Sequence, residues 1–129
     1  MVDSRYLIEV DEKNGRAHVQ IREDIDAVKI RNTFIAIRIN KVWQRGDHSI
    51  LWQLEDASFP ESFEFRDVIR TSQLTRAVSF PCKSAIILNK NDRMLEMVAN
   101  FYKSIASITA NGQIEIYFDY QAAIEWLDN

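Results

Sequence analysis

The sequence predicts an α/β fold: a mixed sheet of four to five strands, opened by an antiparallel hairpin and covered by helices, in the order β-β-α-β-α-β-α-β-α. Three observations carry that expectation. Asn14-Gly15 separates two alternating apolar runs, short apolar runs recur along the chain, and stretches with helical apolar spacing lie between them. Strands separated by helices imply parallel neighbours joined by right-handed crossovers. At 129 residues the chain is expected to be a single domain, residues 1–129, able to bury roughly two thirds of its unfolded surface.

In the opening run, Tyr6, Ile8 and Val10 alternate with other residues, as do Ala17, Val19 and Ile21 after Asn14-Gly15. Asn and Gly both tolerate the positive φ of a tight turn, so a hairpin is predicted. From Asp24 to Arg45 the helical spacing produces two adjoining stripes. One is Ile25, Val28, Asn32, Ile35, Ile39 and Val42; the other is Ala27, Ile30, Phe34 and Ile37. One long helix follows, capped by Asp24 and stopped by Gly46. Its apolar surface is wider than the ~100° stripe that one sheet contact uses. Deep burial accounts for that surplus, as does contact with a second subunit, for which Ile30, Phe34 and Ile37 are the candidate surface.

His48 to Leu54 is the next strand, and Phe65, Val68 and Ile69 place a helix within Phe63–Thr71. Lys83 to Asn89 is a continuous apolar run of the kind covered on both faces. Asn91 or Asp92 caps a helix whose face is Met94, Val98, Phe101 and Ile105; Gln113 to Phe118 alternates as a strand, and Asp119 caps a terminal helix. Asn111-Gly112 leaves open a hairpin running from Ile105 to Phe118 instead.

The charge balance, 16 Lys and Arg against 19 Asp and Glu, gives a net charge of −3, and the basic residues are distributed along the chain. That distribution lacks the basic face that releases counterions from nucleic acid, so no nucleic-acid partner is expected. No apolar run reaches the ~20 residues that span a bilayer, and the N-terminus lacks the pattern of a signal peptide, so a cytoplasmic protein without a membrane partner is expected. Cys82 is the only cysteine and cannot form an internal disulfide.

Chemistry-bearing residues are sparse. His18, His48 and Cys82 show no zinc-ligand spacing, and the three glycines form no phosphate-cradling loop. No cofactor and no catalytic residue are expected. Acid pairs drawn from Glu55, Asp56 and Glu61, or Asp11 and Glu12, fit a solvated surface better than a general acid-base dyad. Trp43, Trp52 and Trp126 lie within apolar patterns and are expected to pack. The segment LEDASFPESF, 54–63, is different, because it gathers acids and hydroxyls at a strand-to-helix corner.

Together the opening hairpin, the strand ending in LEDASF, the strand SAIILN, the helix NDRMLEMVANFYKSIA and the terminal IEIYFDYQAAIEWL resemble the SpoIIAA-like branch of the STAS superfamily. This superfamily comprises sulphate transporter and anti-sigma factor antagonist domains. The resemblance runs from about Tyr6 to Leu127, and its most specific part is Ala123-Ile124-Glu125-Trp126-Leu127. It implies a non-catalytic regulatory or protein-interaction module that binds a protein partner or forms a homodimer.

In anti-sigma factor antagonists a serine at this corner is phosphorylated by a partner kinase; the resemblance transfers that switch to Ser62. It makes Asp56, Ser58, Glu61 and Ser62 the candidate switch or interaction loop. Phe63 and Glu64 stand where the family has small residues, which argues against a working switch and for Ser62 as a helix cap. Ser58 is expected to bond its own backbone in a turn. The branch is also distantly similar in fold to CRAL-TRIO lipid-binding domains, so a small apolar or lipid-like ligand, held near Met94, Met97, Phe101 and Tyr102, is the alternative.

Overall fold

The computed structural model describes residues 5–46, 49–59, 64, 66–67, 69–70, 82–109 and 113–129, with backbone alone at 102 and 105–109. Five strands form one sheet in the order of the chain: β1 (Tyr6–Val10), β2 (Ala17–Ile21), β3 (Ser49–Gln53), β4 (Lys83–Ile87) and β5 (Gln113–Tyr117). The β1 and β2 strands are antiparallel, with Ile8 opposite Val19, and every other neighbouring pair is parallel. The fold is therefore α/β with a mixed sheet, as the hairpin signal and the helical spacers predict.

The hairpin itself is looser than Asn14-Gly15 implies. The strands stop at Val10 and resume at Ala17. Asp11 accepts from the amide of Lys13, Asn14 accepts from the amide of Arg16, and Gly15 takes φ of +71°. These short polar side chains bond the loop backbone locally, which spreads the reversal over more than two residues.

The long helix expected from Asp24 to Arg45 is two: α1 (Ala27–Arg38) and α2 (Lys41–Arg45). Asn40 interrupts it with an extended backbone, and its side chain accepts from the amides of Val42 and Trp43. That new N-cap turns the chain, buries Trp43 and lets its indole N–H donate to the Ser49 carbonyl. Gly46 ends α2 as expected, but Asp26 rather than Asp24 caps α1.

Beyond β3, helical backbone is present at residues 66, 67, 69 and 70, within the span where a helix is predicted; Glu64 is not helical and its amide donates to Asp67 Oδ2, and residues 63, 65, 68 and 71 lie outside the described residues. Helix α3 (Arg93–Thr109) starts where Asp92 accepts from the amide of Leu95, and α4 (Tyr120–Asp128) starts where Asp119 accepts from the amide of Ala122. The alternative hairpin from Ile105 to Phe118 is ruled out, because Arg93–Thr109 is helical and β5 pairs in parallel with β4.

One face of the sheet, built from Ala17, Val19, Ile21, Ile50, Trp52 and Ile86, packs against Phe34 and Ile37 of α1 and Leu95 of α3. The other face buries Leu51, Ala85 and Ile87 under Ala123 and Leu127 of α4. Helices on both sides explain why β4 is buried on both faces. A buried guanidinium ties the two ends of the chain. Arg16 donates to Ser49 Oγ at 3.1 Å and to Asp128 Oδ1 at 2.7 Å, locking the hairpin loop to the end of α4. Among the described residues, no helix is long and apolar enough to cross a membrane.

Candidate functional site

The corner after β3 is built by backbone hydrogen bonds to two neighbouring loops. The Leu54 amide donates to the Ile87 carbonyl, and the Ala57 amide closes a turn onto the Leu54 carbonyl, leaving Glu55 and Asp56 at its tip. Ser58 then forms a parallel bridge with Asp24: the Ile25 amide donates to the Ser58 carbonyl at 2.8 Å, and Ser58 Oγ donates to Asp24 Oδ1 at 2.6 Å. Contrary to the expectation that Ser58 bonds its own backbone in a turn, its hydroxyl latches this loop to the one leading into α1. The sequence offers no signal for that pairing, since the two residues are 34 positions apart.

Asp56 is exposed and has no hydrogen-bond partner among the described residues. Glu55 accepts from Gln53 Nε2, and Gln53 Oε1 meets His18 Nε2 at 2.8 Å. Asp56 and Ser58 are thus not brought together in one constellation; Glu61 and Ser62 lie outside the described residues. Cys82 is paired with Ser84, Sγ to Oγ 3.8 Å, and burial pushes its thiol up to about 11, which suits an inert packed side chain rather than a nucleophile. No group of three or more potential metal ligands occurs among the described residues.

Between α1, α3 and the sheet lies a cavity of about 90 Å³, lined by Ile25, Phe34, Trp52, Phe59, Leu95 and Val98 among others, with Ser84 the only polar residue on its wall among the described residues. Such a space is smaller than the ~150 Å³ that holds a benzene in an apolar core.

The surface assigned to self-association requires correction. Ile37 is fully buried, Phe34 is 8 % exposed and packs on Trp52 at 5.3 Å between ring centroids, and Ile30 is half-buried against the same core. That stripe faces the sheet because the core needs it. The other stripe does not adjoin it as expected but faces outward along α1: Val28 is 57 % and Ile39 70 % exposed, Asn32 is exposed and Ile35 is half-buried, whereas Ile25, before the helix, is buried. At about 100° per residue the two stripes lie on opposite sides of α1, so this helix is apolar on both. Val42, on α2, is also exposed.

Charge follows the same outward surface. Residues 27–45 hold five of the chain's 16 Lys and Arg and none of its 19 Asp and Glu, a concentration hidden by the even appearance of the sequence. Arg31, Arg38, Lys41 and Arg45 are exposed, whereas Lys29 is committed to Glu23 at 2.9 Å and to the Asp24 carbonyl. Arg31 and Arg38, seven residues apart, were the overlooked signal, since that spacing puts them on one flank of the outer stripe. Comparison with known proteins adds no assignment: no family model, no curated protein and no solved structure matches the chain.

Proposed function

We propose that this chain is a non-catalytic, STAS-like interaction module of the SpoIIAA-like kind, without a serine phospho-switch, which docks a protein partner or a second copy of itself. The docking surface is the outer face of α1. The observation that carries this reading is the second apolar stripe, Val28, Ile35 and Ile39, on the side of the helix away from the sheet, where Val28 and Ile39 are exposed and Ile35 is half-buried. Exposed apolar side chains that line up contiguously, rather than singly, mark a contact surface. The resemblance along the chain supports the same class, and Phe63 and Glu64 after Ser62 argue against the switch.

A photo-crosslinking amino acid placed at Ile39, with one at exposed Glu12 as control, tests it in cells making the protein at native level. Adducts at position 39 and not at 12 are expected. Equal crosslinking at both, or none at 39, removes the reading.

The cavity favours one second reading, a carrier of a very small apolar molecule, since its wall is almost wholly hydrocarbon. Native mass spectrometry of freshly purified protein tests it. Only the mass of the bare chain would remove it.

A further inference from the structure

Accepting that α1 docks a protein, we infer that its occupant is an acidic amphipathic helix of a different protein, seated along Val28, Asn32, Ile35 and Ile39 with its carboxylates against Arg31 and Arg38. The spacing of that row, four, three and four residues, is the one that keeps a seam facing a partner helix lying nearly parallel or antiparallel to it. Asn32, exposed in the middle of the row, is the polar interruption that sets register in such seams. Arg31 and Arg38 run along one flank, with no carboxylate of α1 beside them, because α1 contains none.

Charge decides among the occupants. A two-fold contact that lays α1 antiparallel on its own copy presents the same patch to itself, so the flanking arginines meet the arginines of the second copy. Like charges in that position are destabilising, which disfavours the homodimer. A flat anionic lipid surface that meets the arginines also meets the exposed Asp24 and Asp26 just before α1, whereas a partner helix can carry its carboxylates opposite Arg31 and Arg38 alone. Nucleic acid offers no counterpart to a row of Val and Ile. A helix with leucines on one face and glutamates flanking it satisfies both halves of the surface at once.

The probe is a pair of synthetic 21-residue amphipathic helical peptides with leucine at the seam positions, flanked by glutamate in one and by lysine in the other. Fluorescence anisotropy with the full chain is expected to show the glutamate peptide binding at least about tenfold tighter. The preference reverses in the Arg31→Glu/Arg38→Glu variant and binding is lost in Ile35→Asp, with circular dichroism melts confirming that both variants fold. Equal affinity for the two peptides, or binding to neither, overturns the proposal. So does a dimer in sedimentation, or binding to phosphatidylserine vesicles, that Ile35→Asp abolishes. If crosslinks form at position 39 while the glutamate peptide is not preferred, the interaction module stands and the acidic partner falls.

Discussion

Gly15 and Gly46 lie backbone to backbone, and their approach yields a sharp test of the fold. A Cβ added at Gly46 would sit 2.5 Å from the Gly15 Cα and 2.6 Å from the Asn14 carbonyl oxygen; one added at Gly15 would sit 2.5 Å from the Gly46 Cα. Ordinary contact begins near 3.4 Å, so either alanine must part the hairpin loop and the end of α2 by nearly an ångström. Overpacking of that kind costs about 1–3 kcal/mol.

Gly46 has φ of −93°, which any residue adopts, so Gly46→Ala measures the contact alone. Gly15 has φ of +71°, and its alanine variant carries an added penalty of about 1–2 kcal/mol for the left-handed backbone. Urea denaturation followed by tryptophan fluorescence is the assay. A loss of ~3 kcal/mol in Gly15→Ala moves the midpoint by ~2 M at a slope near 1.5 kcal/mol/M. The double variant should lose less than the two singles together, because the first substitution already opens the gap. Unfolding free energies within about 0.5 kcal/mol of wild type, or strictly additive losses, would refute the close contact.

Three further outcomes are expected. Ile37→Ala should lose about 2–5 kcal/mol of stability while Ile39→Ala, two residues on, stays within about 0.5, which thermal melts of the two variants distinguish. Asp128→Ala leaves the buried Arg16 guanidinium with Ser49 as its remaining partner among the described residues; a stability loss of about 1–2 kcal/mol in denaturant titrations is expected, and no loss would show the clasp to be idle. For Cys82, whose burial pushes the thiol from 9.0 up to about 11, alkylation by iodoacetamide at pH 8 should run roughly ninetyfold slower than that of a free thiol, and accelerate upon unfolding in urea. Because the folded thiol ionises later than the unfolded one, its contribution to stability is full below pH 9.0 and is lost as pH rises through about 11.

Much of the fold was legible in the sequence because its signals are local. Alternation in Tyr6–Val10 and Ala17–Ile21, the continuous run at β4 and the caps at Asp92 and Asp119 each depend on residues within a few positions of one another. Where two local signals compete, the sequence is less informative. Asn40 suits the middle of a long amphipathic pattern and also a cap, and the burial of Trp43 against the sheet tips it to the cap. The site was less legible still. Ser58 met Asp24 rather than its own backbone, and the bond between them is closed by the sheet, not by the chain between them.

Helix α1 shows the division most clearly. Periodicity by itself determined that two apolar stripes run along residues 24–45, since the 3.6-residue repeat is a property of the chain. It also determined that both exceed what one contact needs. Which stripe is buried is not a local property: Ile30, Phe34 and Ile37 lie inward because Asp26 and the Asp24–Ser58 latch fix how α1 enters the sheet, and Trp52 supplies a ring for Phe34 to meet. Only the tertiary structure, by filling one side of the helix with the sheet, left Val28, Ile35 and Ile39 beside Arg31 and Arg38 on the side facing solvent.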